Sequence, residues 1–313
     1  MNYDVIGDIH GQADMLFGLL KRMGYRQLQG VWRHPDREAI FVGDFIDRGP
    51  RQVDTVLTVR RMIDSGSARA VMGNHEFNAV AWWLPDPVRP GDSLRPHLGK
   101  LGAKNRDQHA AFLREIEDKP ALHKELIDWF LTLPLWVDLP ELRVVHACWH
   151  DRFMEQLRPR LNRDRTMNAD LMAAASREGW MEFETVEALT KGPEVPLPVG
   201  VSFRDKDGHE RHKVRVRWWH QGPTTYRELA LMPDDLRDGL PDHEVPGGAH
   251  CGYDSAKPVF FGHYWMTGAP QLQSPTVACV DYSAGNGGDL VAYRWEGEPT
   301  LDASHFFSAR EAG

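Results

Sequence analysis

The chain has 313 residues, enough for one elaborated domain or a domain with a substantial insertion, and its 42% hydrophobic and 26% charged residues are those of an ordinary soluble globular protein. A formal charge of −8 and a pI near 6.0 argue against a protein that coats nucleic-acid backbones, yet leave room for a small anionic substrate if bound cations reverse the local field. No stretch approaches the ~18 consecutive apolar residues of a membrane span, and Met1-Asn2-Tyr3-Asp4 shows no leader pattern. The three cysteines, Cys148, Cys251 and Cys279, stand far apart in no CxxC spacing, so they read as thiols in a reducing compartment and the cytoplasm is expected.

In chain order, Tyr3–Gly7 is predicted as a strand, and residues 12–23 as a helix carrying Met15, Leu16, Leu19, Leu20 and Met23 at helical spacing. A strand over 38–42, a helix over 52–63 ending near Ser65-Gly66, a strand over 68–72 and a helix over 76–83 follow. This alternation implies a mainly parallel central sheet. Residues 85–96 hold four prolines and read as a loop, 107–117 and 122–131 as helices, and 143–146 as a strand. Beyond residue 150 the character changes. Residues 170–189 read as one helix, 191–199 as a proline-rich connector, and 201–203 with 214–218 as a hairpin about Asp205-Lys206-Asp207-Gly208. Residues 241–252 read as a loop, and strands return at 259–261, 276–280 and 290–294. The whole is expected to be a single domain over 1–313, with 151–255 inserted between core strands as a cap.

Five short motifs carry the chemistry: Asp8-Ile9-His10, Gly43-Asp44-Phe45-Ile46-Asp47-Arg48-Gly49, Gly73-Asn74-His75-Glu76, His146 and Gly262-His263. The first three follow apolar, β-branched runs. A strand ending in a metal-binding side chain and turning on glycine delivers its ligand to the carboxyl edge of a sheet, where open α/β sheets place their chemistry. Together the motifs offer Asp, His, Asp, Asn, His and His to one point, enough for two ions sharing a carboxylate. A bridging acidic ligand is the usual way to hold such ions ~3.5–4 Å apart for displacement at phosphorus. Each motif alone is weaker: Asp8 or Asp44 could cap a helix, and a lone His146 or His263 is more often a satisfied core histidine. Arg48 has the planar fork for phosphate oxygens, although an isolated arginine there would ordinarily read as a surface ion pair with Asp47 or Asp54. His75 beside the metals can donate a proton to a leaving alkoxide, with Asp47 orienting it. The other histidines, including His97, His109 and His123, have no comparable setting and read mostly as surface residues; His150 and His220 stay open. The residues thus predict a metal-dependent phosphoesterase.

The array resembles the phosphoprotein-phosphatase branch of the calcineurin-like metallophosphoesterases, on the ordered GDxxDRG and GNHE elements and the two later histidines. Within it the chain looks most like bacterial symmetrical diadenosine-tetraphosphatases and small bacterial protein phosphatases. His146-Ala147 and Gly262-His263-Tyr264-Trp265 are similar to the tetraphosphatases, whereas 151–255 is longer than expected for either. The resemblance implies an α/β (α+β sandwich) fold of central mixed sheets flanked by helices in four layers. It implies that Asp8, His10 and Asp44 hold one ion and Asp44, Asn74, His146 and His263 the other. It also implies a metal-bridging hydroxide as nucleophile, no phosphoenzyme, His75 as acid, Asp47 behind it and Arg48 on phosphate. A second phosphate-binding arginine is expected between the last two histidines; Arg215, Arg217, Arg227 and Arg237 qualify, with Arg217 preferred. Mn²⁺ suits the mixed oxygen and nitrogen donors, and Fe or Zn would also fit. The expected substrate is a small phosphorylated molecule, a nucleotide polyphosphate ahead of a phosphoprotein or an RNA end. Trp149, Trp218, Trp219 and Trp265 could stack on a base but are better read as core. A metal-stabilised binding module without catalysis would predict loss of a ligand or of His75, and all are present.

Overall fold

A computed structural model of the chain describes residues 2–204, 210–222, 224–232, 234–245 and 252–310. Two sheets form its centre. Their strands in chain order are β1 (Asn2–Ile6), β2 (Arg37–Phe41), β3 (Ala68–Ala70), β4 (Trp136–Asp138), β5 (Arg143–Val145), β6 (Val259–Phe261), β7 (Leu272–Ser274), β8 (Val277–Cys279), β9 (Asp281–Tyr282), β10 (Asp289–Trp295) and β11 (Phe306–Ser308). The first sheet runs β9-β10-β1-β2-β3, with β11 also on β10. β1, β2 and β3 are parallel, in the register Val5↔Ile40 and Phe41↔Ala70. The second runs β7-β8-β6-β5-β4, its three middle strands parallel.

Strand alternation sends every second side chain to the opposite face. Val5, Ile40, Val42 and Tyr293 of the first sheet therefore meet Val144, Phe260, Ala278 and Val280 of the second in one apolar cluster. The intervening Ile6 and Phe41 join Leu16, Leu19, Val56 and Val59 of the helices α1 (Ala13–Arg22) and α2 (Gln52–Asp64). On the far side, Phe261 packs against Trp218, Trp219 and Tyr264. The expected mixed sheets flanked by helices are the observed fold. Among the described residues no helix is long and apolar enough to cross a membrane.

Further helices are α3 (Asn74–Trp83), α4 (Gly99–Ile116), α5 (Pro120–Phe130), α6 (Asp151–Leu157), α7 (Ala169–Ala175) and α8 (Met181–Lys191). α4 begins well before residue 107 because Gly99 and Gly102, poor helix formers, hide its first turns in the sequence. The helix expected over 170–189 is two helices, α7 and α8, separated where Gly179 turns with φ +83°. The connector after α8 contains a strand, Glu194–Pro196, and it is this strand that pairs with Lys213–Arg215. Phe203–Arg204 pairs instead with Glu210–Arg211, and the turn expected at 205–208 lies outside the described residues. Within 151–255, Val195, Val214, Val216, Tyr226 and Leu229 form a small core of their own, while Met154, Leu171, Leu189 and Trp218 belong to the main one. Arg177, between α7 and α8, grips both oxygens of the buried Asp86 carboxylate and ties this segment to the loop after α3. Cys148 and Cys279 are buried, and Cys251 lies outside the described residues.

Candidate active site

Every motif residue stands just past the carboxyl end of a parallel strand. Asp8 and His10 follow β1, Asp44 follows β2, Asn74 follows β3, His146 follows β5 and His263 follows β6. The two sheets therefore deliver six donors to one edge. The turns that bring them there are strained: six of the ten non-glycine residues with positive φ among the described residues are His10, Asp44, Asp47, Arg48, His263 and Trp265. Such conformations cost ~1–3 kcal/mol each and persist only where surrounding contacts enforce them. Glu76 supplies much of that enforcement, its carboxylate accepting from the amides of Asp44 at 2.8 Å, Phe45 at 2.8 Å and Gly73 at 3.0 Å. Gln52 straps the second turn, accepting from Asp47 N and donating to the Gly49 carbonyl, both at 2.6 Å. Gly73 must lack a side chain, since a Cβ there would fall 2.2 Å from Asp44 Oδ1; at Gly262 it would fall 2.0 Å from Asp8 Oδ1.

Asp44 lies at the centre. Its Oδ2 is 3.7 Å from His10 Nε2, 3.9 Å from His75 Nε2 and 3.4 Å from His146 Nε2. Two groups of donors converge on it: His10, Asp44 and His75 on one side, and Asp44, His146 and His263 on the other. Asn74 Oδ1 adds an oxygen 3.1 Å from His146 Nε2. Asp8 stands outside the first trio; its Oδ2 accepts from the His263 amide at 3.0 Å.

The donor set fits divalent cations. His10 Nδ1 donates to the Ile46 carbonyl at 2.9 Å and His146 Nδ1 to the Val42 carbonyl at 2.7 Å, because a carbonyl can only accept. In the neutral form each ring is thereby left with a lone pair at Nε2 on the side of the Asp44 carboxylate, the arrangement of a metal-binding histidine. Asp8 Oδ1, His10 Nε2 and both ring nitrogens of His263 are buried and have no hydrogen-bond partner. Leaving such atoms unpaired costs ~1–3 kcal/mol apiece, which a cation would offset. Burial, reinforced by the His75 ring, holds His10 down to about 3, and burial likewise holds His263 well below its ordinary value. Both rings are neutral at physiological pH, as a metal-binding imidazole must be. Burial, with Asp281 and Asp44 nearby, pushes the Asp8 carboxyl well up, a surplus of buried negative charge suited to cations.

Beside these donors lies a second assembly. His75 Nδ1 donates to Asp47 Oδ2 at 2.5 Å, and the fully buried His109 of α4 donates from Nδ1 to Asp47 Oδ1 at 2.9 Å. Asp47 thus spans two imidazoles. Burial opposes its charged form, but His109 and His75 more than offset that and hold its carboxyl well below the usual range. For His75, burial is likewise overcome by Asp44 and Asp47, so its pKa is raised. The Arg48 guanidinium lies 3.9 Å from the centroid of the Trp265 ring, a contact that fixes the plane of its fork. Asp281, buried, accepts from the amides of Trp265 at 2.8 Å and Ser283 at 2.9 Å and so anchors the turn after His263.

Several residues lie elsewhere than expected. Arg217 turns to the Glu228 carbonyl and is not among the residues lining the central cavity. Arg215 is the arginine of that stretch whose charge acts on His263, with its guanidinium 5.4 Å from the Tyr264 ring centroid. His109 and His123 are core residues, not surface ones; both sit on amphipathic helices whose apolar faces their rings complete. No motif surrounds His109, and only the three-dimensional meeting of α4 with the Asp47 turn reveals its contact. Trp149, Trp218 and Trp219 are buried as core, whereas Trp265 lines the cavity.

Two measurements probe the supporting shell. In Glu76→Gln an amide group replaces one of the acceptor oxygens, and we expect metal affinity to fall ~10–100-fold with the fold retained, by calorimetric titration. In His109→Phe, Asp47 loses one anchor; turnover of an alkyl phosphate is expected to drop ~10-fold with KM unchanged. Equal loss on an aryl phosphate with a good leaving group would instead indicate a general structural defect.

The family model for calcineurin-like phosphoesterase matches residues 1–263. The symmetrical bis(5'-nucleosyl)-tetraphosphatase of Vibrio cholerae is 27% identical over 98% of this chain and 97% of its own length. The asymmetrical bis(5'-nucleosyl)-tetraphosphatase PrpE of Halalkalibacterium halodurans is 31% identical over 150 residues, 47% of this chain; the chain spans only 57% of that relative's length. Among solved structures, a Saccharomyces cerevisiae serine/threonine phosphatase with similarity to human PP5 aligns over 98% of this chain and 78% of its own with a TM-score of 0.52. At 17% identity that likeness concerns the fold alone. The chain belongs to the calcineurin-like phosphoesterases, hydrolases that use a dinuclear divalent metal centre.

Proposed function

We propose that the chain hydrolyses a nucleotide polyphosphate of the diadenosine tetraphosphate kind. Asp8, His10, Asp44, Asn74, His146 and His263 would hold two divalent ions, and Mn²⁺ suits their mixed donors. When bound, such ions polarise phosphoryl oxygens and lower the pKa of water enough to supply a nucleophile near neutrality. The chain's own residues do the rest. Arg48, held in plane by Trp265, takes two phosphate oxygens through its fork. His75, charged because of Asp44 and Asp47, carries a proton at Nε2 for the leaving oxygen. Asp47 fixes that ring through Nδ1, and His109 fixes Asp47.

The observation that carries the substrate class is the cavity. His75, Asp47 and Arg48 lie in a space of about 850 Å³ walled by α4, α7 and α8. A cleft of this size admits a small molecule or an extended phosphate chain. Segment 151–255 supplies α7 and α8, so we read it as the cap that shapes this space. The named activity of the Vibrio relative, similar from end to end, supports the same reading.

The test compares diadenosine tetraphosphate, nucleoside triphosphates and a phosphopeptide with Mn²⁺ present. The dinucleotide is expected to show the highest kcat/KM. Preference for the phosphopeptide would overturn the substrate class while leaving the hydrolase.

A further inference from the structure

Four cations lining the cavity, Arg95, Lys104, Arg114 and Lys191, have no counterpart in the motifs, and of these Lys191 is paired with Glu187. α4 turns Leu101, Lys104, Gln108, Ala111 and Arg114 toward the space, in the three- and four-residue steps of one helix face. Arg95 enters from the loop after α3 and donates from Nη2 to Gln108 Oε1 at 2.7 Å. Among the described residues, Arg95, Lys104 and Arg114 have no ion pair, whereas Arg106 of the same helix is paired with Glu117 at 2.8 Å and Arg177 with Asp86. Burial holds the Arg95 guanidinium below its ordinary value, with Asp47 and Glu187 drawing it back. An arginine partly withdrawn from water without an ion pair is costly, and this one lines the same cavity as Arg48 and His75. The acidic groups nearby are largely engaged: Asp47 by two histidines and Glu187 by Lys191, while Asp107 is exposed.

We infer that Arg95, Lys104 and Arg114 form an arm that binds the non-reacting phosphates of a linear polyphosphate chain whose scissile phosphoryl group sits at Arg48 and His75. From Lys104 to Arg114 the helix advances ~15 Å, more than one phosphate can span and suited to several in series. The inference rests on the proposed hydrolysis of nucleotide polyphosphates and names what recognises the chain, independently of the nucleoside.

The test uses p-nitrophenyl phosphate turnover by the full chain in excess Mn²⁺, with orthophosphate and inorganic tripolyphosphate as competitors. In the wild type, tripolyphosphate should bind at least tenfold more tightly than orthophosphate; if it is itself cleaved, its KM serves. Arg95→Gln should cut that ratio at least threefold, as should Lys104→Gln with Arg114→Gln, and the triple variant should bring it near one. The Lys104 and Arg114 changes lie on an exposed helix surface, and residual turnover reports folding in the same cuvette. Equal competitors in the wild type, or an unchanged ratio in the triple variant, would overturn the arm. Wild-type protein that leaves diadenosine tetraphosphate intact while the ratio behaves as expected would overturn the nucleotide substrate and leave the arm standing.

Discussion

Asp44→Asn is expected to lose at least about three orders of magnitude in kcat/KM, ~4 kcal/mol of transition-state stabilisation, together with most of its metal. The reason is position. Asp44 belongs to both convergent donor groups, with His10 and His75 on one side and His146 and His263 on the other. Its oxygens are buried, and Oδ1 also accepts from the His75 amide at 3.0 Å. Asparagine keeps the size and one acceptor but halves the donor capacity and removes the charge. It also leaves the Asp44 turn, already at φ 53°, without the attraction that repays its strain. Metal content by mass spectrometry should fall from two ions toward none, with circular dichroism unchanged. Full metal content and full turnover in this variant would remove Asp44 from its bridging role.

His75→Asn is expected to act differently. Its effect should depend on the leaving group, because only a poor one needs a proton. On an alkyl phosphate we expect a loss of ~10²–10³, within the range of general acid catalysis, and on p-nitrophenyl phosphate a loss below ~10-fold. The geometry supports this separation: Nδ1 is committed to Asp47 at 2.5 Å, so Nε2 is the nitrogen that can reach substrate. Metal content should stay at two ions, since Asp8, with an unpartnered Oδ1, is available on the same side as His10 and Asp44. Equal losses on both substrates would point to a ligand role for His75.

Much of the fold was legible because each motif follows a run such as Val5-Ile6 or Ile40-Phe41-Val42, and β-branched runs ending in glycine turns have few alternatives. The same pattern placed Asp8, Asp44, Asn74, His146 and His263 at one sheet edge. What lay beyond reach was every contact between elements that carry no motif. His109 meets Asp47 across 62 positions of sequence, and its helix looks like any other amphipathic one. Arg95, Lys104 and Arg114 look like solvated charges until α4 and α7–α8 are seen to wall a cavity. In the sequence only position favours Arg217, and no local signal encodes the pairing of Lys213–Arg215 with Glu194–Pro196 or the turn of Arg217 to the Glu228 carbonyl. The expected pairing of 201–203 with 214–218 fails for the same reason, although Phe203–Arg204 does pair across that stretch with Glu210–Arg211: pairing partners in a sheet are chosen by tertiary packing.

On the proposed reading, six side chains converge to hold two ions on which turnover depends. Titration of Mn²⁺ into metal-stripped protein, with p-nitrophenyl phosphate turnover followed on the same samples, tests it most directly. The expected result is two ions per chain and turnover that appears only as the second site fills. One ion or none at saturation, or full turnover in the stripped protein, would contradict it.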